Sequence, residues 1–160
     1  MTQMTGRRTA ASQSSRVLRV LRMFSVRRPR QAPGARRVVR PLLRAAAVGI
    51  LAWMGAVHLH LWQEGYRYIP HGVGPSFLAD AIAAFALAAA LAVFARPLTG
   101  LAAAAFTAST LGALLISLNF GLFGFYESTQ ASYVVQTLVF ESVNVIILLA
   151  WTVLAAADVG

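Results

Sequence analysis

Four runs of roughly 20 apolar residues, at positions 42–62, 77–95, 98–118 and 133–157, are set apart by short segments that hold most of the glycines and prolines of that region. A helix rises about 1.5 Å per residue, so each run matches the roughly 30 Å hydrocarbon core of a bilayer. Gly65, Pro70, Gly72, Gly74 and Pro75 mark residues 63–76 as a loop, and a glycine-rich, aromatic stretch at 119–130 leads into the last run. Arg96 and Pro97 leave so short a turn that the second and third runs must be antiparallel neighbours. The pattern predicts an all-α fold, a four-helix transmembrane bundle.

Composition agrees with the pattern: 58% of the residues are hydrophobic and only 12% are charged, against about 45–50% and about 25% in soluble domains. The net charge of +9 would suit a nucleic-acid binder if it were spread over a folded surface. Instead, all the basic residues are arginines, and all but Arg67 and Arg96 lie between positions 7 and 44. The charge therefore belongs to a tail and its junction with the membrane, and no nucleic-acid partner is expected. Residues 1–41, rich in Arg and interrupted by Pro29, Pro33, Gly34 and Pro41, are expected to be largely disordered. Within them Arg16, Arg19 and Arg22 fall opposite Val17, Val20, Leu21 and Phe24, the pattern of a short helix on an anionic lipid surface.

Arginine also sets the expected orientation, because it is enriched in cytoplasmic segments. The tail and the turn at Arg96 fall on one side and the loops at 63–76 and 119–130 on the other. Both termini are then cytoplasmic, with anionic headgroups as the tail's natural partner. The cytoplasmic side carries a net +12 and the outer half a net −3.

Lipid gives helices no hydrophobic reason to associate, so small residues mark close approach. Gly100, Ala104, Ala108 and Gly112 recur every fourth position in the third span and are expected to face another helix. Ala45, Gly49, Ala52 and Ala56 in the first span, and Ala79, Ala83, Ala86 and Ala90 in the second, offer similar stripes.

Apart from the cytoplasmic flank, the ionisable residues gather in the outer half. Glu141 stands out. It lies well inside the fourth span, where a carboxylate is costly enough to require a partner or a watery cavity, and Asn144 follows one turn further in. Asp80 lies close to the start of the second span, where an interfacial capping role is open to it. Arg67 is the one cation expected on this side and the natural partner of Asp80, Glu127 or Glu141. The apolar stretch that contains Tyr126 and Glu127 reads either as a lid placing those two near Arg67 or as part of an aromatic belt.

His58 and His60 point about 200° apart on a helix and cannot share one ion. His60 and Glu64 do share a face, and His71 can join them from the loop, a three-ligand arrangement that suits zinc or copper. Cysteine is absent, which removes thiolate ligands, thiol nucleophiles and disulfides.

The run His58-Leu59-His60-Leu61-Trp62, with Gly65-Tyr66-Arg67, Ile69-Pro70 and Gly72, resembles a group of small four-span membrane proteins of high-GC bacteria to which no activity is assigned. The resemblance spans at most residues 42–157. It implies the same topology in a bacterial plasma membrane, and no reaction. Three functions stay open: a non-catalytic accessory or lipid- or partner-binding component, alone as a homo-oligomer or within a host complex; a small transporter or proton-coupled carrier using Glu141, Asp80 and Arg67; and a divalent-metal protein using His60, Glu64 and His71.

Overall fold

A computed structural model describes residues 33–69 and 72–157. The surface helix expected around Arg16–Arg22 lies outside the described residues. Those described form an all-α bundle of four helices, α1 (Pro33–Glu64), α2 (Val73–Val93), α3 (Pro97–Asn119) and α4 (Val134–Ala156), with a single 3-10 turn at Tyr66–Tyr68. All four are long and apolar enough to cross a membrane. The chain is a multi-pass membrane protein.

With 21 to 23 residues, α2, α3 and α4 reach about 31–35 Å, which matches the hydrocarbon core. At 32 residues α1 overshoots it. Its first quarter, with exposed Arg36 and Arg37, belongs to the stretch that the sequence assigned to the tail. Residues 33–41, expected to be largely disordered because their prolines read as breakers, are helical. Pro33 in fact occupies the first turn, where a backbone N–H needs no helical partner. Pro41 lies inside the helix without ending it, in a largely exposed stretch where water can satisfy the carbonyl it leaves free.

The helices pack as a ring in which α1 touches α2 and α4, while α3 touches α4 and, least of all, α2. Away from Glu64 the ring is filled by Leu51, Leu91, Leu148 and Trp151, each fully buried, with Ala47, Ala84, Ala103 and Ala104 between them. At that end Arg44 closes the last turn of α2, donating from Nε to the Leu91 carbonyl at 2.8 Å and from Nη2 to that of Ala92. Residues 94–96 join α2 to α3 there. Toward the opposite end, which carries the two longer loops, polar side chains replace the leucines.

The small-residue stripes need correction. Gly100 and Ala104 are buried, but Ala108 is exposed and Gly112 has open space beside it. Ala45, Gly49 and Ala56 are exposed, as are Ala79 and Ala86. The buried faces follow Ala47, Leu51 and Met54 in α1 and Ala81, Ala84, Ala88 and Leu91 in α2. Alanine is so common on every side of these helices that a spacing of four selects no one face.

Candidate functional site

At the loop end, all four helices and the 119–133 connection surround a partly open cavity of about 90 Å³. His58 of α1, Asp80 of α2, Thr110 and Ser117 of α3, Thr137 and Glu141 of α4, and Glu127 of the loop all line it. Its remaining walls are largely apolar and aromatic, with Phe77, Phe125 and Tyr133 among them.

Glu141 is 1% exposed, and neither carboxylate oxygen has a hydrogen-bond partner. The Thr110 hydroxyl lies beside it, but donates to the Thr107 carbonyl at 2.9 Å, so its proton is committed elsewhere. Asn144, one turn deeper and fully buried, donates from Nδ2 to Thr107 Oγ1 at 3.3 Å and leaves its own oxygen unpaired. An isolated buried carboxylate costs several kcal/mol unless a proton, water or a cation answers its charge.

Asp80 is not a cap. It lies two turns inside α2, whose N-cap is Gly72 in the left-handed region, and its Oδ2 is 4.0 Å from His58 Nε2. The Met54 carbonyl can only accept, so the contact of 2.9 Å from His58 Nδ1 fixes the ring proton on Nδ1. That leaves Nε2 facing the carboxylate. The distance is too long for a hydrogen bond, and the pair attracts only when Nε2 carries a proton as well.

The two loops form the roof. Leu122 and Phe125 exchange backbone hydrogen bonds of 2.8 and 2.9 Å across Phe123 and Gly124, whose φ of 52° and 78° make a tight turn of the type glycine favours. The turn directs Leu122 and Phe125 into the cavity and leaves Phe120, Phe123 and Tyr126 exposed. Glu127 lines the cavity and accepts a hydrogen bond of 2.8 Å from the Tyr66 hydroxyl. Tyr66 stacks within 4.4 Å of Phe77. Burial, and then the Glu127 carboxylate, push the Tyr66 phenol well above its ordinary range.

Of the expected polar cluster, Glu141, Asp80 and Glu127 converge on the cavity, with Asn144 just below. Arg67 does not join them. It is exposed, with its guanidinium 4.7 Å from the Tyr68 ring and 5.8 Å from that of Trp62, and pairs with none of the expected carboxylates among the described residues. Cation–π contact at the surface spares it the desolvation that an inward turn would demand. Tyr126, 67% exposed, points away, and Tyr66 takes the place expected of it. His60 is exposed, edge-on to Tyr133 at 5.8 Å, Glu64 is exposed, and His71 lies outside the described residues. Among the described residues no three of His, Asp or Glu come together around one metal position.

His58, Tyr66, Thr110 and Thr137 were not singled out from sequence as site residues. For His58 the signal existed: it lies at i+4 from Met54 and i+7 from Leu51, on the buried face of α1, whereas His60 lies off it.

Searches against protein families, curated proteins and solved structures found no match.

Proposed function

We propose that the protein is a small-ligand binding protein of carrier type in a bacterial plasma membrane, with the cavity facing outward and both termini in the cytoplasm. The observation that carries the reading is Glu141, buried and unpartnered where a cavity reaches the middle of the bundle. A carboxylate so placed weakens the fold unless something that enters the cavity offsets its charge. The cavity is open at the loop end, while Leu51, Leu91, Leu148 and Trp151 fill the other half. That is the geometry of a single-sided access, either one state of an alternating carrier or a receptor. Orientation rests on arginine, abundant before α1 and scarce in the loops that roof the cavity.

A ligand that binds only the folded state raises its stability. Purified full-length protein screened against small cations, anions and neutral compounds should show a rise in melting temperature that Glu141→Gln removes. If no compound separates the two proteins, the reading fails.

An accessory role has its own support in the exposed stripe of Ala45, Gly49 and Ala56 along α1 and in the exposed Phe120, Phe123 and Tyr126 of the roof, which suit contact with another membrane chain or a second copy. On that reading Glu141→Gln and Arg67→Ala lower abundance or partner association and leave ligand stabilisation unchanged.

A further inference from the structure

We infer that the cavity takes a small organic monocation, an ammonium group on a short apolar or aromatic body, with Glu141 as its counter-charge. The inference rests on the reading of the cavity as a binding site and adds the chemistry of the ligand.

Charge selects the sign. Three carboxylates, Asp80, Glu127 and Glu141, line the cavity, and among the described lining residues His58 is the only basic group. An anion would meet repulsion from the three carboxylates, and a neutral body could donate hydrogen bonds to Glu141 but would leave its charge uncompensated.

Hydrogen bonding selects a single charge. Glu127 already accepts from Tyr66 at 2.8 Å, and Asp80 faces His58 at 4.0 Å. Glu141 alone is fully buried with neither oxygen hydrogen-bonded, and its side chain lines the space. One unpaired carboxylate matches one ammonium, whose N–H donors supply what both oxygens lack. A divalent metal would need a convergent set of ligands, and the described residues bring no three together.

The walls select the body. Phe77, Phe125 and Tyr133 line the cavity with Val57, Leu61 and Leu114. Ring faces attract cations, most strongly where water is excluded, and aliphatic walls favour an apolar remainder.

The chain has no cysteine, so an introduced thiol reports alone. In purified full-length protein, Thr137→Cys places one beside Glu141 in the cavity and Ser132→Cys places one at its exposed rim. Each is reacted with a trimethylammonium thiosulfonate and with a sulfonate-bearing one. The ratio of cationic to anionic rate should be roughly tenfold higher at Thr137→Cys than at Ser132→Cys, and adding Glu141→Gln should remove most of that excess. Benzylammonium should slow the reaction at Thr137→Cys, whereas benzoate and benzyl alcohol should not. Should Glu141→Gln fail to fold, Asp80→Asn tests the same ratio and should lower it in part. A faster anionic reagent, or protection by benzoate or benzyl alcohol equal to that by benzylammonium, overturns the cation assignment and leaves the binding cavity standing. If Ser132→Cys reacts and Thr137→Cys is inert to both reagents, the cavity is closed and the binding reading falls with it.

Discussion

The Tyr66 hydroxyl donates to Glu127 Oε2 at 2.8 Å and so ties together two loops that are 61 residues apart in sequence. The bond braces the roof beside the cavity, and Phe77 and Phe125 pack around the same Tyr66 ring at 4.4 and 5.9 Å.

Removing the hydroxyl should loosen the roof without unfolding the bundle. Hydrogen bonds to charged groups contribute about 1.5–3 kcal/mol, and Tyr66 is only half-buried, so Tyr66→Phe should cost about 1 kcal/mol. Thermal unfolding of the purified protein should register a drop of a few degrees. The bond also has a pH signature. The phenol, with an ordinary value of 10.0, is raised in the folded state, so the folded protein holds its proton longer than the unfolded chain does. Its contribution is complete below pH 10 and declines as the pH climbs above that value. The melting temperatures of wild type and Tyr66→Phe should therefore differ at pH 8 and converge above pH 10.

Glu141 should behave as a residue kept for function at the expense of stability. Replacing buried ionic groups by apolar ones of similar size is often neutral or stabilising by about 1–4 kcal/mol. Glu141→Met should accordingly match or exceed the wild-type melting temperature while losing any ligand-induced rise. A large fall in stability would mean that the carboxylate holds the bundle together.

Two glycines one small-residue stripe apart should respond in opposite ways. A Cβ at Gly100 would collide with Thr152 Oγ1 and lie 2.6 Å from the Trp151 ring, whereas one at Gly112 would meet nothing within 4 Å. Gly100→Ala should destabilise by about 1–3 kcal/mol through overpacking. Gly112→Ala should stabilise by about 0.5–1 kcal/mol, because alanine favours the helix. Paired melting curves would check both.

That contrast shows where sequence stops being informative. Long apolar runs can satisfy their backbone in lipid only as helices, so the four spans and the all-α class were readable from hydropathy alone. Glu141 and Asn144 were readable as inward because polar groups shun hydrocarbon. The packing faces were not, since alanine on every side of α1 and α2 carries no directional signal. Nor was the exchange of Arg67 and Tyr126 for Tyr66. It depends on a 3-10 turn and on positive φ at Phe123 and Gly124, which decide which loop side chains turn inward.

The central claim is that an aqueous path from outside the cell reaches the level of Glu141. It is tested most directly by expressing Thr137→Cys and Leu148→Cys in intact cells and measuring labelling by a membrane-impermeant thiol reagent. Thr137 lines the cavity, and Leu148, two turns beyond Glu141, is fully buried in the packed half. Labelling of Thr137→Cys with Leu148→Cys left unmodified is the predicted result. Protection of both, in protein shown to be folded and at the cell surface, would contradict the account.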